Sequence, residues 1–124
     1  MKYVLDASVI IDLIYNSDRV QKIKDKLKDE LLMTTAPTLH EVLEGANEKQ
    51  QFIIKNLLEG MTVLPFTQNE AVISADIAQT LAREGKTINK IDLLVSGICI
   101  AHDAIIVSFD NDFNRVKNLK ILEI

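Results

Sequence analysis

Only one cysteine, Cys99, occurs in the 124 residues. An internal disulfide is therefore excluded, and Cys99 reads as a small core residue of a reducing compartment. Two prolines and four glycines are too few for a flexible linker, and no repeat or low-complexity tract interrupts the chain. No apolar run is long enough to span a bilayer. A secretory signal is not expected, because Asp6 breaks the first apolar run and no small-residue cleavage site follows. These absences lead to the expectation of one cytoplasmic domain over residues 1–124, with no membrane partner.

Positive charge is also in deficit, with 14 Lys+Arg against 18 Asp+Glu and a formal net charge of -4. That balance argues against a general nucleic-acid binder, which is usually basic. It leaves room for an enzyme in which divalent cations supply the positive charge. Several catalytic signatures are missing as well. There is no Walker A or GxGxxG loop. His40 and His102 have no partner spacing for zinc, and Ser8, Ser96 and Ser108 stand in no nucleophile elbow. His40 is expected on the surface at a helix start, and His102 at a helix end, where the dipole favours it.

What the chain does have is an apolar content of 48%, enough for a real core, and regular punctuation. Lys2–Leu5 reads as a short buried strand, followed by a helix over Ala7–Tyr15 and a second from Ser17 to about Asp29. The second helix carries Arg19, Lys22, Lys24, Lys26 and Lys28, a solvated face or, alternatively, a phosphate contact. Leu31–Thr35 is strand-like. Thr38-Leu-His-Glu41 reads as a capping box opening a helix that ends near Gly45. Asn47 opens another helix, closed by Gly60. Met61–Phe66 is a strand, and Thr67-Gln-Asn-Glu70 a second capping box, leading a helix to Arg83 with Gly85 as its stop. Asn89 opens a strongly apolar helix, Ala104–Phe109 is a strand, Asp110 starts a short helical turn, and Leu119–Glu123 is the last strand. Five short strands alternating with about seven helices predict an α/β fold, with a mostly parallel five-stranded central sheet flanked by helices.

In a parallel sheet every strand-to-helix junction lies on the carboxyl edge, where open α/β sheets place their ligands. Asp6 follows the first strand, Glu41 starts the helix after the second, and Asp110 follows the fourth. The helix containing Asp92 runs into the start of the fourth strand, so its own start is on that edge too. Each acid has a structural reading: Asp6 and Asp110 as N-caps, Glu41 and Asp92 as third-position partners of Thr38 and Asn89, all suited to the helix dipole. Glu70 has the same form and is expected to be structural. Ser8 and Ser108 either support the acids by hydrogen bonds or simply cap. Several carboxylates crowded at a dry edge repel unless a cation compensates. Mg²⁺ or Mn²⁺ suits all-oxygen ligation and could activate water for displacement at phosphorus.

Four segments, VLDASVII, HEVLEG, INKIDLLVSG and IIVSFDNDF, in that order and spacing, resemble the PIN-domain family of metal-dependent ribonucleases, in particular the VapC-like toxins of toxin–antitoxin pairs. The resemblance implies a three-layer PIN-like fold and an acidic quartet Asp6, Glu41, Asp92 and Asp110 holding Mg²⁺ or Mn²⁺. Asp112 is a fifth candidate that competes with Asp110 for the fourth ligand role, which the position directly after the strand assigns to Asp110. It implies an endoribonuclease acting on RNA, a cognate antitoxin covering the acidic groove, and a homodimer, for which Val9–Ile14 and Ile53–Leu58 offer apolar surface or core. The family's sheet order would group strands one, two and four at the centre and leave Glu70 to the side. Ala7-Ser8 and Ser96-Gly97 depart from the common Thr-Asn pair and the common alanine pair. Asp12, Glu44, Asp76 and Asp103 are not carried over and default to solvated surface. Lys86, Lys90 and Arg115 lie near the acidic segments, as RNA-steering or solvated cations. Two alternatives stand beside this reading: a solitary or catalytically weak PIN-domain RNA-processing or binding protein, and a receiver-like Mg-dependent phosphoacceptor.

Overall fold

Alternation along two strands decides the layering. In a computed structural model that describes residues 1–124, Val4 and Ile106 enter one buried apolar cluster, with Val95, Ile98, Cys99 and Phe113. Their strand neighbours Leu5 and Val107 enter another, with Val9, Ile10, Val20, Ile23, Leu27, Val42 and Ile54. Successive side chains of a strand point to opposite faces, so a sheet buried on both sides needs helices on both sides.

The strands are β1 (Tyr3–Leu5), β2 (Leu32–Thr35), β3 (Thr62–Leu64), β4 (Ile105–Val107) and β5 (Lys120–Ile121). The helices are α1 (Ala7–Tyr15), α2 (Asp18–Leu27), α3 (Ala36–Glu44), α4 (Glu48–Leu58), α5 (Gln68–Arg83) and α6 (Lys90–Ala101), with a 3-10 turn over Asn111–Arg115. Residues of α1 to α4 fill the first face's core, and α6 and the 3-10 turn fill the second. α5 packs outside on α6. The expected three layers are present, with six α-helices. No helix is long and apolar enough to cross a membrane.

All four ladders are parallel, in the order β3-β2-β1-β4-β5. The expected grouping of β1, β2 and β4 at the centre holds. Receiver domains follow the order 2-1-3-4-5, so the phosphoacceptor alternative falls on topology. The chain builds outward from β1 to β3 and then restarts on β1's other side with β4. The switch point, and with it the ligand crevice of an open α/β sheet, lies between β1 and β4.

Strands are shorter than the apolar runs that announced them. β3 stops at Leu64 because Pro65 has no N–H to extend a ladder. The start of α3 requires a correction. Thr35, not Thr38, is its N-cap, and the Thr35 hydroxyl oxygen accepts from Thr38 N–H at 3.1 Å. Pro37 sits in the first turn, where its missing N–H costs nothing. Glu41 is therefore a turn further into the helix than a Thr38 capping box would place it, and the first turn of α3 contains no acid.

Two glycines have definite work. Gly85 adopts φ 69° after α5, a left-handed turn that suits a residue without Cβ. Gly97 lies where α5 crosses α6: a Cβ there would stand 2.9 Å from both the Glu70 carbonyl oxygen and the Ser74 Cβ. That close approach seats α6, the helix that carries Asp92.

Candidate active site

Register fixes the floor of the crevice. Tyr3, Val4 and Leu5 pair with Ile105, Ile106 and Val107, so Asp6 and Ser108 emerge side by side, and Asp6 N–H donates to the Val107 carbonyl at 3.1 Å. Asp6 is extended at the N-cap of α1 and its Oδ1 accepts from Val9 N–H at 3.2 Å. The same oxygen accepts from the Ser8 hydroxyl at 2.7 Å, and Oδ2 accepts from the Ser108 hydroxyl. Each serine oxygen accepts in turn: Ser8 from Phe109 N–H at 3.1 Å, Ser108 from Asp110 N–H at 2.9 Å. Two hydroxyls thus stitch the end of β1 to the end of β4. Asp6 is only 5% exposed. Burial raises its pKa, and the Asp110 charge adds to that, against the donors from Ser108, Ser8 and Val9.

Asp92 is held differently. Asn89 caps α6 by accepting from Asp92 N–H at 2.9 Å, which sets the acid in the first turn of a helix buried on nearly every side. Its side chain is 7% exposed, and Oδ2 is a buried oxygen with no hydrogen-bond partner. Burial first, then the charges of Asp110, Asp6, Glu41 and Asp112, push its pKa up to about 7.

Carboxylate oxygens of Asp92, Asp110 and Asp112 lie within 4.8 Å of one another. Asp110 caps the 3-10 turn and accepts from Asp112 N–H at 2.9 Å, so the turn that follows β4 brings both acids to Asp92 rather than one in place of the other. Asp6, held by its serine donors, and Glu41, partly exposed on α3, both stand outside this group. Burial raises the Glu41 pKa, as do the charges of Asp6 and Glu44, with His40 opposing.

The remaining candidates separate cleanly. Glu70 accepts from Thr67 N–H at 3.1 Å and lies 3.4 Å from Nε2 of His102, the C-cap residue of α6, at the opposite end of that helix from Asp92. His40 pairs with Glu44 at the surface. Arg115 donates to the Thr87 carbonyl at 2.7 Å and lies 3.6 Å from Asp112, while Lys86 and Lys90 are exposed.

Asp12 corrects the expectation of a solvated acid. Its side chain is 14% exposed and accepts from the Ser17 hydroxyl at 2.7 Å, from Arg19 Nε, and from Arg19 Nη2 at 3.2 Å. Arg19 in turn lies 4.0 Å over the Phe109 ring, between Ser108 and Asp110. Aspartate and arginine seven positions apart across a helix boundary obey no local spacing rule, so no signal in the sequence marked this pair.

Chemically, the crevice gathers carboxylates that cannot all ionise in a poorly hydrated place without a counter-charge. The fit to a hard divalent cation rests on two features: an all-oxygen donor set, and the buried Asp92 Oδ2 left without any donor.

Relatives share this framework along its length. The tRNA(fMet)-specific endonuclease VapC of Shigella flexneri is 25% identical over 126 residues, covering 97% of this chain and 96% of its own. The structure of VapBC2 from Rickettsia felis bound to a DNA fragment from their promoter superposes with a TM-score of 0.88 at 21% identity, covering 98% of each chain. VapBC-1 from nontypeable Haemophilus influenzae gives 0.87 at 22% identity, covering 99% of this chain and 98% of that one. The PIN domain family model matches residues 3–119, from the first strand to the approach of the last. An acid-lined crevice between β1 and β4 in a chain matched over that range makes this protein a member of the PIN domain family.

Proposed function

We propose that the chain is a Mg²⁺- or Mn²⁺-dependent endoribonuclease and the toxin of a toxin–antitoxin pair. The observation that carries the metal reading is Asp92: buried, with Oδ2 unpartnered, and its pKa pushed up by burial first and then by the acids around it. Support for the substrate class comes from the curated relatives named as tRNA(fMet)-specific endonucleases. The superposed VapBC structures support an antitoxin partner.

Asp92, Asp110 and Asp112 would hold the cation, with Asp6 and Glu41 completing the acidic site. When bound, the cation would neutralise charge at the phosphodiester and lower the pKa of water so that it loses its proton more readily. The protein's own groups do the rest. The Ser8 and Ser108 donors keep Asp6 from rotating. Burial by α6 keeps the crevice short of competing water, which strengthens each electrostatic contact within it. Glu41, at the rim with a raised pKa, would take up the proton that water loses as it adds to phosphorus, and solvent would supply the proton to the departing oxygen.

The antitoxin segment would cover an apolar groove beside this rim, lined by Ile11, Ile14, Tyr15 and Glu41. The helices proposed for partner contact divide by residue. Val9, Ile10 and Ile54 are core, while Ile11, Tyr15, Phe52 and Ile53 remain exposed and are available to an antitoxin or a second protomer.

Asp6→Asn and Asp92→Asn test the site. Each should abolish metal-dependent RNA cleavage, and Asp92→Asn should also weaken Mn²⁺ binding in calorimetric titration. Wild-type cleavage by both variants would remove the acidic site from the reaction.

A further inference from the structure

A cation beside an acidic cluster ordinarily pairs with it. Arg19 does not. It is near enough to the crevice for Asp6's charge to act on it, yet its ion pair is with Asp12, outside the cluster. Asp12 holds Nε and Nη2, and also the Ser17 hydroxyl at the start of α2. The guanidinium is therefore clamped in one orientation, with Cζ 4.0 Å from the centre of the Phe109 ring. Phe109 is itself tied to the site through its N–H bond to Ser8. This arrangement keeps Arg19 itself off the carboxylates of the cluster, whose one arginine neighbour is Arg115, 3.6 Å from Asp112. It also leaves Nη1 without a protein acceptor, although a guanidinium offers five donors.

Arg19 forms part of one wall of a groove of about 470 Å³, within the size range of small-ligand clefts. Lys22, one turn further along α2, lines the same groove, as do Asp110, Asn111 and Asn114. Lys22 has no ion-pair partner. The groove thus runs from the acid cluster, through Asp110, to two cations with donor capacity to spare. A chain of net charge -4 repels a polyanion in general, so any nucleic acid held at the acids needs local positive charge next to them. Clamped arginines suit phosphate because their fork is fixed before binding. The asparagine amides in the same groove are suited to base edges of a single strand.

We propose that Arg19, oriented by Asp12 and Phe109 and assisted by Lys22, binds a phosphate of single-stranded RNA next to the scissile bond. The proposal rests on the endoribonuclease reading, and the test separates the two. Binding of a fluorescein-labelled, 2′-O-methylated RNA is measured by anisotropy in chelator, across a salt series, for wild type, Arg19→Ala, Arg19→Lys and Lys22→Ala. Lys2→Ala, whose side chain bonds the His102 carbonyl at the end of α6 away from Asp92, serves as a control, and thermal melts confirm folding. Arg19→Ala should weaken binding ~10-fold and reduce the salt slope by about 1. In cleavage assays with unmodified RNA its loss should fall on KM rather than kcat. Arg19→Lys should restore the slope but only part of the affinity, since it keeps charge without the fork. Affinity and slope equal to wild type in Arg19→Ala would overturn the proposal and leave Arg19 a strut between α1 and α2. So would a defect confined to binding a protein partner. Metal-dependent cleavage by wild type with an unchanged KM in Arg19→Ala sinks this inference alone. Wild type that binds the RNA through Arg19 without cleaving it sinks the nuclease reading alone.

Discussion

The hydroxyl of Ser108 donates to Oδ2 of Asp6 across 102 positions of chain, closing the gap between the ends of β4 and β1. This bond lets a carboxylate survive at a nearly waterless junction, because each Asp6 oxygen has a hydroxyl donor.

Replacing Ser108 with alanine should therefore cost more than a typical surface change. Asp6 Oδ2 would be left buried without a donor, a loss of about 1–3 kcal/mol at neutral pH. The Asp6 pKa, already raised, should rise further. Denaturant midpoints and carboxyl NMR titration read the two effects. An unchanged midpoint would mean that water replaces the hydroxyl without penalty.

Asp92→Asn should stabilise the metal-free protein while removing its response to metal. The substitution takes away a charge repelled by Asp110, Asp6, Glu41 and Asp112. Saturating Mn²⁺ at 100 times its Kd should stabilise wild type by about 2.7 kcal/mol and the variant far less. Melts in chelator and in Mn²⁺ supply the comparison; equal metal shifts in both proteins would rule Asp92 out as a ligand.

Acidity should act through the same residue. Asp92's pKa moves from 3.8 to about 7 on folding, so between those values the folded protein holds a proton that the unfolded chain has released. Stability from this group is greatest at low pH and falls as pH rises through that window, with no further change above it. The difference in unfolding free energy between wild type and Asp92→Asn isolates the term from the other acids. In chelator the variant's advantage should grow from about pH 4 to about pH 7; a constant difference would show that Asp92 titrates normally.

Gly97→Ala should disturb the site from a distance. The added methyl meets Glu70's carbonyl oxygen and Ser74 at 2.9 Å, and backbone on both helices leaves little room to yield. A loss of about 1–3 kcal/mol is expected, with RNA cleavage falling as α6 shifts. A pairing with Ser74→Gly should recover part of both, because it removes one of the two obstructing groups. No recovery would place the strain at the α5 backbone, the Glu70 carbonyl and the Ser74 amide nitrogen.

Much of this organisation was legible from short range. Asp6, Asn89 and Asp110 are caps because capping joins a side chain to an N–H two or three residues on. The apolar runs announced every strand, though not where each would stop. α3 was misplaced by three residues because Thr35 and Thr38 are both plausible caps, and only burial of the β2 end showed which one turns the chain. Asp110 and Asp112 looked like rivals because the sequence gives no path for the turn after β4; the 3-10 geometry brings both to Asp92.

The amino-acid order by itself determined local things: which segments are strand or helix, which residues cap them, and that several acids stand at helix starts. Those depend on periods and contacts within a few residues. Tertiary structure alone decided which acids share a crevice, that Asp92 keeps an orphaned oxygen there, and that Arg19 turns to Asp12 and Phe109 instead of the carboxylates. These facts follow from the pairing of β1 with β4 and the seating of α6 and α2, between residues whose separation along the chain carries no information about their distance in space.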